Sequence, residues 1–180
     1  VLKEANKISK EKASSVKRKD LRDTITFTID PDDAKDFDDA LSFKKLKNNN
    51  VEIGIHIADV THYLEKNTLL DKEAKKRATS VYLSDRVVPM LPEILSNDLC
   101  SLNPNEDKNV FSVLVEIDNN FNIISKDFSK CLINSNERMS YQEAQHVIEN
   151  KTEKLPADVT ITKKKRSLSK ELVNAILHLN

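Results

Sequence analysis

Cysteine is almost missing: the 180 residues hold two, Cys100 and Cys131, set far apart. That excludes a disulfide framework, and their spacing fits no zinc site, so they are expected as buried thiols in a reducing compartment. Long apolar runs are missing too, so no membrane-spanning helix is expected, and no leader-type segment opens the sequence. Net charge is absent: 29 Lys+Arg balance 29 Asp+Glu. The overall charge therefore names no polyanionic or membrane partner. No internal repeat occurs. These absences leave the expectation of a soluble, cytoplasmic protein large enough to bury a core, organised as one domain with a flank.

What charge there is falls unevenly. Residues 1–22 are basic (Lys3, Lys7, Lys10, Lys12, Lys17, Arg18, Lys19 and Arg22 against Glu4, Glu11 and Asp20), and Lys163–Lys164–Lys165–Arg166 forms a second run. Such runs read first as solvated linkers or faces. Residues 1–22 lack periodicity and are expected as a lead-in or linker, with the domain proper from 23 to 180. At the far end, Leu172, Val173, Ile176 and Leu177 repeat at helical spacing, with Ser167 or Ser169 placed to cap the start and no Gly, Pro or cap to close it. Val1 is not a natural start. The expectation is a piece of a longer protein.

Between the ends, hydrophobic periodicity alternates between strand and helix. "TITFTID" places Ile25, Phe27 and Ile29 on one side and threonines on the other, as a strand does. "ALSFKKL", a turn at Asn48–Asn49–Asn50, and "VEIGIHIADV" read as a hairpin. In its well-buried second strand Val51, Ile53, Ile55 and Ile57 oppose Glu52, Gly54, His56 and Ala58. Residues 68–77 read as a helix capped by Asn67, with acids early and bases late, and Pro92 begins a short helix to about Asn97. "FSVLVEID" and "FNIISKDFSKCLI", joined at Asn119–Asn120, make a second hairpin. Ser140 and Glu143 form a capping box for a helix to about Asn150, and "KTEKLPADVT" reads as loop. Mixed elements with hairpins predict an α+β fold whose sheet is at least partly antiparallel.

The concentrated feature is "IDPDDAKDFDDA", with six aspartates between residues 30 and 39: Asp30, Asp32, Asp33, Asp36, Asp38 and Asp39. Two carboxylates ~5 Å apart repel by roughly 3 kcal/mol at an effective dielectric near 20, so water or a cation must offset them. A solvated acidic loop is one reading, although strands pin both its ends. An EF-hand loop fails: counting from Asp30, the sixth residue is Lys35 where glycine is needed and the twelfth is Leu41 where glutamate is needed. A divalent-metal site for phosphoryl chemistry needs about four carboxylates converging from a strand end and the loop after it. Asp30, Asp36, Asp38 and Asp39 supply them. His56 and His62 lie in no zinc spacing and read as structural.

Several blocks, in one order, then carry a resemblance: "KRKDLRD", "TIDPDDAKDFDDA", "GIHIADVTHYL", "SVYLSDRVVPMLPEILSNDLCSLNP" and "ERMSYQEAQHVIE". Over residues 17–150 the chain resembles the catalytic RNB domain of the ribonuclease II / ribonuclease R family, and by "SVYL" and "SLNPNEDK" it is closer to ribonuclease R. The resemblance implies the N-terminal part of a processive 3′→5′ exoribonuclease that uses Mg²⁺ to hydrolyse RNA to 5′-nucleoside monophosphates. It implies that Asp30, Asp36, Asp38 and Asp39 are the metal-holding and catalytic carboxylates, with Asp38 acting in the chemical step, and that Asp32 and Asp33 lie outside that set. It places Tyr82 against the terminal nucleotides, where an aromatic face stacks any base, although a tyrosine on an apolar stretch is often core. Arg77 and Arg86 flank it within reach of phosphate. The implied partner is the 3′ end of single-stranded RNA, with no membrane, and the parent is expected to be a monomer. Ala78 and Asp98 stand where ribonuclease R commonly has glycine. The family's arginine-containing catalytic segment and its cold-shock and S1 domains are not among these residues, so the chain alone is expected to bind Mg²⁺ weakly and to be nearly inactive. The rival readings are a non-catalytic RNA-binding or scaffold module and an acidic metal buffer.

Overall fold

Alternating apolar and polar residues build most of the strands that the computed structural model shows; it describes residues 1–8 and 17–179. Lys10, Glu11 and Lys12 of the basic lead-in lie outside the described residues. In chain order the strands are β1 (Lys19–Asp20), β2 (Ile25–Asp30), β3 (Asp39–Lys45), β4 (Val51–Ala58), β5 (Val81–Tyr82), β6 (Val87–Val88), β7 (Asp107–Ile117), β8 (Ile123–Asn134), β9 (Glu137–Ser140), β10 (Lys154–Leu155) and β11 (Arg166–Ser167). The helices are α1 (Leu2–Ile8), α2 (Leu69–Arg77), α3 (Tyr141–Asn150) and α4 (Lys170–Leu179), and one wide helical turn covers Ile94–Leu99.

Seven strands form the main sheet in the order β1-β8-β7-β4-β3-β2-β9. Its five central strands are antiparallel, as the two hairpins require, while β1 lies parallel to β8 and β9 parallel to β2. The chain passes from β8 to β9 through residues 135–136 and from β1 to β2 through 21–24. Such short links force the sheet to curl until its ends meet: Asn136 N–H donates to the Thr26 carbonyl and Thr26 N–H to Asn136 Oδ1, each at 2.8 Å. This is the mixed α+β architecture expected.

Two cores flank the sheet. Phe27, Phe43 and Met139 pack under α3 and α4 with Val147, Leu172 and Ile176. On the opposite face Phe37, Ala40, Ala58 and Val110 pack with Leu70, Leu95 and Leu102. The capping box forms as expected: Ser140 Oγ accepts from Glu143 N–H and Glu143 Oε2 from Ser140 N–H. Among the described residues no helix is long and apolar enough to cross a membrane.

β4 reverses one expectation. Gly54, His56 and Ala58 point inward, while Ile55 and Ile57 are 42% and 50% exposed. The inward polar face is satisfied from both sides: His56 Nδ1 lies 2.8 Å from Ser112 Oγ and Nε2 2.8 Å from Ser42 Oγ. The ring passes over Gly54, the one glycine of the chain, where a Cβ would run into Ser42 Oγ and the imidazole. Burial lowers the His56 pKa to about 4, so it sits neutral in this row. α3 and α4 cover the isoleucine face over β2, β3 and β9 and stop short of β4, β7 and β8. Ile55, Val113 and Phe128 align there across three strands, with Phe128 62% exposed.

Other departures are local. Thr68, rather than Asn67, caps α2, its Oγ1 accepting from Asp71 N–H at 3.2 Å; Asn67 takes a left-handed φ of 69°. Residues 154–155, expected as loop, pair with 166–167. Leu2–Ile8, expected as irregular, is helical because packing decides it: Ala5 is fully buried against α2 and the wide turn. Arg18, expected as a solvated base, is buried in an ion pair with Asp59 at 2.7 Å.

With so little glycine, left-handed positions fall to other residues, among them Ala78 at the end of α2, with φ 61°. That conformation costs an L-residue about 1–2 kcal/mol, and glycine gives part of it back through unfolded-chain entropy, about 0.5–1 kcal/mol. Ala78→Gly is therefore expected to raise the unfolding free energy in urea by about 0.5–1 kcal/mol. A loss of stability would show that Ala78 is unstrained.

Candidate metal and nucleic-acid site

The acidic loop leaves β2 at Asp30 and re-enters the sheet at Asp39. Its middle is nailed down by a buried aromatic. Phe37 is 6% exposed in the core, its N–H donates to Ser101 Oγ at 3.0 Å, and its carbonyl accepts from Leu102 N–H at 2.9 Å. Ser101 Oγ, fully buried, also donates to the Lys35 carbonyl at 3.0 Å. In near-extended backbone, neighbours point opposite ways. With Phe37 turned inward, Asp36 and Asp38 turn outward together. One residue on, the Asp38 carbonyl accepts from Ala58 N–H at 2.9 Å, fixing the loop to the end of β4.

The outward side is a cavity of about 740 Å³, lined on one wall by Asp30, Asp33, Lys35, Asp36 and Asp38 and on the other by Tyr82, Arg86, Val87, Pro89, Glu93 and Asn97. The second wall is the β5–β6 hairpin, in which Tyr82 pairs with Val87. Tyr82 is 68% exposed, and its hydroxyl donates to Asp36 Oδ2 at 3.2 Å. The Asp36 charge pushes the phenol pKa upward.

The carboxylates sense one another. Burial pushes the Asp30 and Asp38 carboxyls above the ordinary range; on Asp30 the Thr28 hydroxyl and the Arg138 charge pull back while Asp39 and Asp36 push further, and on Asp38 the charges of Asp36, Asp39 and Asp30 add to burial. Asp30 Oδ2 is buried with no hydrogen-bond partner among the described residues. An orphaned buried carboxylate oxygen is costly, and a hard divalent cation satisfies it. The donor set, all carboxylate oxygen, fits Mg²⁺ rather than a softer metal. Among the described residues no three of His, Cys, Asp or Glu stand close enough together to hold a metal ion as placed. Asp30, Asp33, Asp36 and Asp38 are gathered on the rim of one cavity.

Three of the four expected carboxylates, Asp30, Asp36 and Asp38, thus share a cavity with Tyr82. Asp39 is exposed, opens β3 opposite Ile57 and lies outside the lining, acting on Asp30 through its charge. Arg77 is also outside. Its Nε donates to Glu73 Oε1 at 2.8 Å and its Nη1 to the Pro89 carbonyl at 3.1 Å, so it braces the wall that carries Tyr82. Asp33, set apart from the site by the sequence reading, lines the cavity. Arg138 was missed altogether: it donates to three carbonyls of the acidic loop, and no spacing rule points to it. Tyr141, exposed, follows Ser140, the partner of Asp30 across β2 and β9. His56 and His62 lie away from the cavity, in agreement with their structural reading.

An acidic rim and an exposed aromatic across one cavity define a carboxylate site suited to a divalent cation and a nucleic-acid chain. The RNB domain matches residues 18–178, and the chain belongs to that family. It is 52% identical over 133 residues to Ribonuclease R 1 of Lactococcus lactis, covering 74% of this chain and 16% of that protein. It is 50% identical over 137 residues to DIS3-like exonuclease 2 of Schizosaccharomyces pombe, covering 76% and 15%. Mycoplasma genitalium RNase R, solved in complex with double-stranded RNA, superposes with a TM-score of 0.82 at 34% identity, covering 98% of this chain and 29% of that one. The chain spans about a sixth of the length of these two curated relatives.

The raised carboxyl pKa values have a sign. A carboxyl harder to ionise in the folded than in the unfolded chain destabilises the fold once ionised, and that penalty vanishes as pH falls through its folded pKa toward the ordinary 3.8. Asp38→Asn is therefore expected to raise the melting temperature of the metal-free chain at pH 7, by about 2–4 °C for each kcal/mol of relieved repulsion. The gain should disappear below about pH 4. Thermal melts in EDTA across that range check it, and an unchanged or lowered midpoint at pH 7 contradicts it.

Proposed function

We propose that this chain supplies the metal-holding part of the active site of a 3′→5′ exoribonuclease, which hydrolyses RNA processively to 5′-nucleoside monophosphates with Mg²⁺. The observation that carries the reading is the orphaned Asp30 Oδ2 among mutually repelling carboxylates, in one cavity with an exposed tyrosine. Family membership and the names of the relatives support it.

Asp30, Asp36 and Asp38 would hold the ion, with Asp39 adding negative charge beside Asp30. Bound there, Mg²⁺ supplies the positive charge that polarises a phosphate and acidifies an attacking water. The work left to the chain is placement. The Tyr82 ring stacks on a terminal base without reading its identity. Arg86 and Lys35, in the cavity walls, offset phosphate charge. Asp38, flanked by Asp36 and Asp39, is the carboxylate we assign a part in the chemical step beyond holding the ion. The 180 residues alone bind Mg²⁺ weakly and cleave RNA little, since the relatives that act as nucleases are several-fold longer.

The test uses the full-length parent and a uniformly labelled single-stranded RNA, with Mg²⁺ or EDTA. Processive release of mononucleotides is expected, abolished by EDTA and reduced roughly 10²–10⁴-fold by Asp38→Asn. Tyr82→Ala should weaken 3′-end binding by about 1–3 kcal/mol per stacked base. Binding without degradation would instead support a non-catalytic RNA-binding module. Cleavage by the purified 180-residue chain, lost on Asp38→Asn, would contradict the dependence on the longer parent.

A further inference from the structure

Arg138 touches the acidic loop at more points than any sequence rule suggested. From β9 its Nη2 donates to the carbonyls of Pro31 (2.9 Å), Asp32 (2.9 Å) and Ala34 (3.3 Å). Its guanidinium carbon lies 4.9 Å from the centre of the Phe37 ring. One side chain therefore grips the entry of the loop by its backbone and lies against the aromatic that separates Asp36 from Asp38. Three carbonyls turned toward one point create a negative pocket that only a cation fills well. Among the described residues, these hydrogen bonds go to carbonyls and none to a carboxylate. Arg138 thus takes up none of the carboxylate oxygens by hydrogen bonding.

The base of this arm is rigid. Arg138 pairs in register with Thr28, in the strand that ends at Asp30. Its own carbonyl accepts from Arg166 Nη2 at 3.4 Å, and Arg166 is fixed by Glu137 at 2.7 Å and by the buried Glu143 at 2.9 Å. Glu143 in turn belongs to the capping box of α3. A fixed strand, a braced side chain and a planar head make a splint for the loop. Lysine would keep the charge and could donate to the same carbonyls, but would lose the flat face over Phe37.

We propose that Arg138 is the positioning residue of the acidic loop: it holds the backbone of residues 31–34 and lies against Phe37, so that Asp36 and Asp38 stay on the rim beside Asp30, where a divalent cation would draw them together, without itself touching metal or RNA. The proposal rests on the reading of this loop as the metal site. Its test is chosen so that the two can fail separately.

Two readouts are compared in the wild type, Arg138→Gln, Arg138→Lys and Asp38→Asn. One is amide hydrogen exchange, by NMR, at Ala34, whose N–H donates to the Pro31 carbonyl, and at Phe37, whose N–H donates to Ser101 Oγ. The other is Mg²⁺ affinity by calorimetry. Both Arg138 variants are expected to speed exchange at Ala34 and Phe37 by about tenfold or more, and to weaken Mg²⁺ binding comparably, while amides of β4 and β7 stay protected. Asp38→Asn should weaken Mg²⁺ binding and leave Ala34 slow. Wild-type exchange and affinity in Arg138→Lys would overturn the proposal, because charge alone would then suffice; so would an unchanged Arg138→Gln. If Arg138→Gln unfolds, Arg138→Lys decides. If the wild type takes up no Mg²⁺, the metal-site reading falls, and the exchange readout still supports or overturns the splint.

Discussion

Like charge held at close range is the constraint on which this structure turns. Asp30, Asp36, Asp38 and Asp39 would separate if the loop were free, since the charges of Asp36 and Asp39 raise the cost of ionising Asp30 and Asp38. The fold denies them that freedom from several directions. Phe37 is sunk in the core, Ser101 holds the backbone on either side of Asp36, Ala58 takes the Asp38 carbonyl, and Arg138 gathers the carbonyls at the loop's entry. The energy for this comes from burial and hydrogen bonding elsewhere in the sheet. What is gained is a rim on which Asp30, Asp36 and Asp38 face one cavity together.

The same economy shapes the opposite wall. A two-stranded hairpin is marginal alone, and β5–β6 is short and exposed. Arg77 ties the end of α2 to the Pro89 carbonyl, and Ser80 Oγ accepts from Met90 N–H at 3.0 Å, so the hairpin is pinned across its base. Tyr82 is thereby presented to the cavity with its ring open and its hydroxyl on Asp36. Arg77, expected as a phosphate contact, serves the site at one remove.

Much of this was legible in the sequence. Both hairpins and the α3 capping box follow from period and spacing, and the density of aspartates singled out the loop between β2 and β3, while the choice of Asp30, Asp36, Asp38 and Asp39 within it came from resemblance. Tyr82 came from resemblance, since an exposed and a buried tyrosine look alike in one sequence. Other features had no signal. The alternation in β4 is unmistakable, yet period alone does not say which face is buried. The isoleucines suggested one answer, and Ser42 and Ser112, which satisfy His56 from neighbouring strands, enforce the other. Arg138 lies about a hundred residues from the carbonyls it binds, a pairing created by the parallel register of β2 and β9. α1 is fixed by the burial of Ala5 rather than by periodicity.

The most direct test of the central claim is paramagnetic broadening by Mn²⁺ in the NMR spectrum of this chain, since Mn²⁺ takes the same oxygen ligands as Mg²⁺. A single site on the preset rim predicts broadening confined at low Mn²⁺ to amides of residues 30–39 and of the hairpin around Tyr82 and Val87, reversed by competing Mg²⁺. Broadening scattered over surface carboxylates such as Glu65, Glu149 and Asp158, with residues 30–39 affected no more than these, would contradict it.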